Sequence, residues 1–170
     1  MKKLLMVIPL VILLCFAFGC QQQSEEVAEE PVVDVEADIE AIKALFAHNS
    51  SVINSGDLEG WIDQFTEAAI FMPQDYVILK GKEAGREFAR PWYEQFSIEF
   101  DISVDEIEVH GNWAFARWSF TSQETPKAGG ETVKRNGKEI WILKRQPDGS
   151  WKCSHIIYNY DSPLPTSQEE

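Results

Sequence analysis

The chain has 170 residues, 44% of them hydrophobic, with 28 acidic against 15 basic side chains and a formal charge of −13. So acidic a chain repels nucleic-acid phosphates and anionic lipid headgroups, which argues against a nucleic-acid partner and against docking on a bilayer by a basic face. Three cysteines are too few for a disulfide framework or a cysteine metal cluster.

Met1-Lys2-Lys3 leads into an apolar run without charge from Leu4 to Gly19. A basic start, a short apolar stretch and small residues before a cut site predict a secretory signal over residues 1–19. A membrane-spanning helix needs about 20 apolar residues; this run is shorter, contains Pro9, and is followed by Glu25 and Glu26 instead of a basic flank. Ala17-Phe18-Gly19-Cys20 resembles the lipobox of bacterial lipoproteins. That resemblance implies a diacylglycerol on the Cys20 thiol, an extracytoplasmic, membrane-anchored domain and, from Gln21, the outer membrane facing the periplasm where a cell has two. Each buried methylene contributes about 0.8 kcal/mol, so several acyl chains anchor stably. The alternative is an ordinary cysteine beside a conventional cleavage site. Loss of Lys2 and Lys3 takes the charge from −13 to −15. Cys15 leaves with the signal, so Cys153 stands alone in the domain and an apolar core must hold the fold.

Residues 20–36 read as an acidic tether: Glu25, Glu26, Glu29, Glu30 and Pro31, without an aromatic residue, offer too little apolar surface to offset the entropy of ordering. Residues 37–161 form the domain, and residues 162–170, with Pro163 and Pro165, read as a loose tail. Ile39, Ile42, Leu45, Phe46, Asn49, Val52 and Ile53 recur at helical spacing and predict an amphipathic helix ending near Gly56. Asp57 suits the cap of a short second helix through Trp61, Ile62 and Phe65. Two short strands, Ala69 to Met72 and Tyr76 to Leu79, flank Pro73-Gln74-Asp75. A third helix runs from about Lys82 to Phe96, where Pro91 should kink it or mark its middle. Four longer strands follow, Ile98 to Val109, Trp113 to Gln123, Val133 to Arg145 and Trp151 to Tyr160, with turns at His110-Gly111-Asn112 and Pro147-Asp148-Gly149. Hairpins of this length predict an α+β fold: a strongly curved antiparallel sheet with three N-terminal helices over its concave face.

Four segments together resemble the nuclear-transport-factor-2-like (NTF2-like) superfamily, and within it the SnoaL-like and DUF4440-type proteins. They are Asn54-Ser55-Gly56-Asp57-Leu58 with Trp61 and Phe65; Ala68-Ala69-Ile70-Phe71-Met72-Pro73 with Leu79-Lys80-Gly81; Val109-His110-Gly111-Asn112-Trp113-Ala114-Phe115-Ala116; and Trp141-Ile142-Leu143-Lys144-Arg145 with Asp148-Gly149-Ser150-Trp151, closing at Tyr158-Asn159. The resemblance implies a cone-shaped fold with an internal pocket, shared by ketosteroid isomerase, polyketide cyclases and non-catalytic association domains. It also implies where the isomerase-like enzymes keep their catalytic groups. The carboxylate before a proline falls on Met72, the acid of the penultimate strand on Trp141, and the helix tyrosine near Asn49. None of these can do that chemistry, so no catalytic residue is assigned and the isomerase mechanism is not supported.

Strand alternation places Phe115, Arg117 and Ser119 on one face with Glu139, Trp141 and Leu143, continued by Tyr158 and capped by Met72 and Trp92. This is an aromatic box with one cation and one carboxylate, the usual make-up of a ligand site. Arg117 and Glu139 are either a cross-strand ion pair or a ligand anchor suited to a carboxylate or enolate. Trp118, Phe120, Ile140, Ile142, Trp151 and Ile157 then fall on the outer face, and a sheet apolar on both faces predicts a homodimer packed sheet to sheet. No metal-ligand spacing, phosphate loop or nucleophile elbow appears, and no cofactor is expected. The sequence therefore points to a lipid-anchored domain that binds a small apolar or weakly acidic molecule. The alternatives are a cyclase, hydratase or isomerase-like lyase using Arg117, Glu139, Tyr158 or His155, and an interaction scaffold whose cavity is filled.

Overall fold

A computed structural model describes residues 34–161. The signal, Cys20, most of the expected tether and the C-terminal tail lie outside the described residues. Helix α1 (Val35–Ser55) starts where the Asp34 carboxylate accepts the Ala37 N–H at 3.1 Å. It stops at Gly56, whose φ of 72° is the left-handed conformation that only glycine adopts readily. Asp38, Ile42, Phe46, Asn49, Val52 and Ile53 are its buried stripe, at the spacing that turns one helical face inward. Helix α2 (Leu58–Ile62) is capped by Asp57, and helix α3 (Lys82–Gln95) continues through Pro91. Its buried residues Gly85, Ala89 and Tyr93 lie four apart. The Phe71 ring sits so close to Gly85 that an added Cβ would approach it to 2.4 Å.

The strands are β1 (Phe65–Met72), β2 (Leu79–Lys80), β3 (Phe96–His110), β4 (Trp113–Pro126), β5 (Val133–Arg145) and β6 (Trp151–Tyr160). They form one sheet in the order β2-β1-β6-β5-β4-β3. The α+β class is as expected, but the sheet is mixed, because β1 inserts parallel to β6 while every other pair is antiparallel. The second short strand is also reduced to Leu79–Lys80. Tyr76, Val77 and Ile78 are 59%, 68% and 60% exposed and find no sheet partner, so β propensity alone does not make a strand there.

The concave face carries the core. Phe46 from α1 sits 5.3 Å from the Trp141 ring and 5.7 Å from the Trp118 ring, and Phe65 lies 5.4 Å from Trp141. Both tryptophans are fully buried. At one edge the Arg145 guanidinium bonds the buried Asp38 of α1 and lies 4.5 Å over the Trp151 ring, whose N–H donates to the same carboxylate at 3.2 Å. The start of α1 is thereby tied to the β5–β6 hairpin.

Candidate functional site

The aromatic cluster fills one end of the space between helices and sheet. Beyond it a cavity of about 230 Å³ remains, walled by Asn49 and Ile53 of α1, Trp92 and Tyr93 of α3, and Phe120, Glu139 and Tyr158 of the sheet. It exceeds the ~150 Å³ cavity that takes up benzene.

Of the residues read from the sequence as pocket, the structure brings Trp92, Glu139 and Tyr158 together at this cavity. Trp141 is next to it but buried in the ring cluster. Phe115 and Arg117 lie on the other side of the sheet. Across β4 and β5, Ala116 opposes Trp141 and Trp118 opposes Glu139, so Ala114, Ala116, Trp118 and Phe120 face inward. The phase expected for β4 was therefore one residue off, and a slip of one residue exchanges the faces. The physical reason is desolvation: inward, the Arg117 guanidinium would lose its water among the buried rings, whereas the rings of Trp118 and Phe120 gain by burial. Outside, it bonds Asp105 at 2.9 Å and Glu106 at 3.3 Å. The Arg117–Glu139 pair, as ion pair or as anchor, does not form. Met72 pairs with Ile157 on the outer side, beyond reach of the cavity. Trp118, Phe120 and Trp151, expected outside, are buried in the core.

The polar groups of the cavity decide what it can hold. Glu139 is buried, and desolvation raises its pKa to about 8, although the Trp141 N–H donating to Oε2 at 2.8 Å pulls the other way. At neutral pH it is mainly the uncharged acid. With Oε2 taken as acceptor, Oε1 carries a proton it can donate. Across the cavity, the Tyr93 hydroxyl and the Trp92 Nε1–H are buried without a hydrogen-bond partner, and burial pushes the Tyr93 phenol up, so it stays a donor. Glu124, also on the wall, is occupied by Arg135 at 3.2 Å and by the Ser122 hydroxyl at 3.2 Å. The sequence reading missed Tyr93, Asn49 as a wall residue, and the Glu124–Arg135 pair. Asn49 at a core position of the α1 stripe, an amide among apolar residues, was the available signal.

Among the described residues, no group of three or more His, Cys, Asp or Glu is placed to hold a metal ion, and no helix is long and apolar enough to cross a membrane. Cys153 is buried and its thiol pKa is pushed well up by desolvation and by Glu139, which leaves it inert as a nucleophile.

Residues 42–152, more than half of the chain, match the family model described as the SnoaL-like domain. The chain belongs to the SnoaL-like domain family. Solved structures agree on the NTF2-like cone. A ketosteroid isomerase-like protein from Erwinia carotovora atroseptica superposes with a TM-score of 0.68 at 22% identity, over 74% of this chain and 98% of that one. A candidate scytalone dehydratase from Novosphingobium aromaticivorans gives 0.68 at 15% identity, over 80% and 97%. An NTF2-like superfamily protein from Salmonella enterica gives 0.65 at 17%, over 80% and 99%. At such identities the likeness shows the fold alone. No curated protein matches the chain significantly in sequence.

Proposed function

We propose that this SnoaL-like domain binds a small, uncharged, largely apolar molecule carrying a hydrogen-bond-accepting oxygen. The observation that carries the reading is the set of donors around one aromatic cavity: the Glu139 acid on the sheet wall and the unpartnered Tyr93 hydroxyl and Trp92 indole on the helix wall. A buried donor left unpaired costs about 1–3 kcal/mol, which an accepting ligand recovers. Since Arg117 is outside, the cavity offers no unpaired cation for a carboxylate, and the weakly acidic ligands allowed by the sequence reading lose their anchor. The sequence pattern at Cys20 supports an exported, lipid-anchored protein, and the apolar outer residues Ile140, Ile142 and Ile157 support a sheet-to-sheet homodimer.

Native mass spectrometry of the full chain extracted from its own membranes tests the binding. A stoichiometric neutral adduct, lost in Glu139→Ala, is expected. No adduct, together with no thermal shift across a panel of neutral metabolites, would sink it. The same preparation shows whether Cys20 carries acyl chains.

A second reading, turnover of that ligand, is favoured by one observation: a buried carboxyl with a pKa of about 8 on the wall of an aromatic cavity can give and take a proton near neutral pH. A product peak that grows with enzyme and vanishes in Glu139→Gln distinguishes it from binding alone.

A further inference from the structure

A second depression lies on the convex side of the sheet, where β1 and β6 lose register. Their pairing jumps from Phe65–Cys153 to Ile70–His155, and that of β5 with β6 jumps from Ile142–His155 to Leu143–Cys153. The bulged Ser154 turns its hydroxyl onto the Ile142 carbonyl at 2.9 Å and within 3.0 Å of His155 Nδ1. Bulges of this kind re-aim side chains. Here they open a groove of about 660 Å³ bordered by Trp113, Lys144, Arg145, Pro147 and His155.

The charge of this groove is opposite to that of the chain. None of its bordering residues is acidic, in a sequence with 28 acidic residues against 15 basic. Arg145 is committed to Asp38. Lys144 has no carboxylate partner among the described residues; its ammonium lies 5.4 Å from the centre of the Trp113 ring, and that ring is 44% exposed. An aromatic face and an unpaired ammonium border one hollow with no carboxylate to neutralise the charge.

We propose that this groove binds an organic anion with a flat ring: the negative group is held by Lys144, and the ring lies against Trp113. A lone surface ion pair contributes little. Selectivity comes from meeting charge and ring together. The site is separate from the Glu139 cavity, on the other face of the sheet, and does not depend on what that cavity holds; Trp113 and Lys144 lie at the strand ends, beyond Ile142, which places the groove at the border of a sheet-to-sheet pair and not at its centre.

The test is nuclear magnetic resonance of the full chain in detergent micelles, with three probes: benzoate, benzyl alcohol and inorganic phosphate. Benzoate is expected to shift the Trp113 indole and the amides of Lys144, Arg145 and His155 saturably. Benzyl alcohol, a ring without charge, and phosphate, a charge without a ring, are expected to bind about ten-fold more weakly. Lys144→Gln is expected to weaken benzoate by about ten-fold as well, and Lys144→Arg to restore most of it. The proposal is overturned by the absence of saturable shifts, by equal benzoate affinity in Lys144→Gln, by benzyl alcohol binding as well as benzoate, or by shifts confined to residues of the Glu139 cavity.

Discussion

Trp141 donates its indole N–H to the Glu139 carboxyl at 2.8 Å from two residues along the same strand, and both side chains are buried. The bond lowers the carboxyl's pKa, burial raises it by more, and the outcome is a value of about 8. Between an ordinary glutamate value near 4.3 and that value, the folded protein holds one proton that the unfolded chain has released. Glu139 therefore contributes most below the unfolded value, and stability falls as pH rises across the window, by at most about 1.4 kcal/mol per unit. Glu139→Gln should flatten this slope. Its melting temperature is expected to exceed that of the wild type near pH 8 and to approach it near pH 5. Parallel melting curves would show that the acid is already charged at neutral pH.

Tyr93 separates stability from ligand affinity. Its hydroxyl is buried without a partner, so Tyr93→Phe removes a desolvated donor and should leave the ligand-free protein as stable, or more stable by up to about 1 kcal/mol. The same change should weaken a bound acceptor by about five- to ten-fold. A destabilised variant would mean that the hydroxyl is satisfied in the free protein. Unchanged affinity would place the ligand away from α3.

Asp38 gives the opposite pH dependence to Glu139. The Arg145 hydrogen bond holds its carboxyl below the usual carboxylate range, helped by the Trp151 indole and opposed by burial. Its contribution is present above the unfolded pKa and is lost as pH falls through the lowered one. Asp38→Ala leaves the part-buried Arg145 guanidinium without its carboxylate and should cost about 3 kcal/mol at neutral pH. The difference from wild type should shrink in acid. Chemical denaturation at two pH values measures both, and a cost that stays constant with pH would rule out a charged Asp38 as the source.

The fold was legible because its signals are local. The α1 stripe from Ile42 to Ile53, the Asp57 cap and the glycine turns each follow from nearest neighbours in the sequence. The site was legible only in part. Alternation along β4 fixes two sets of residues, Phe115-Arg117-Ser119 and Ala116-Trp118-Phe120, and the sequence reading turned the first inward although it carries a charge and a hydroxyl and the second carries neither. The structure follows the local pattern: Trp118 meets Glu139, while Arg117 finds Asp105 and Glu106 on β3. The bulge between Val104 and Glu106 that aims Asp105 at Arg117 leaves no mark in hydrophobic periodicity. Likewise the parallel contact of β1 with β6 joins the first strand to the last, a long-range pairing no local pattern encodes.

The corrected faces still leave an apolar outer surface, and it carries the last prediction. Met72 opposes Ile157, Ile157 opposes Ile140, and Ile142 opposes Phe115, so the side chains adjoin across four neighbouring strands. Ile142 is 39% and Ile157 38% exposed, a cost in water that a second copy laid on the same face removes. In a two-fold pair each substituted position faces its own symmetry-related patch, so Ile142→Glu with Ile157→Glu brings four carboxylates into one interface. The double variant should sediment as one copy where the wild type sediments as two, with the far-ultraviolet circular dichroism unchanged, because neither side chain belongs to the core. A wild type that sediments as one copy at micromolar concentration would remove the homodimer. If both proteins sediment as two copies, the pairing surface lies elsewhere than on this face.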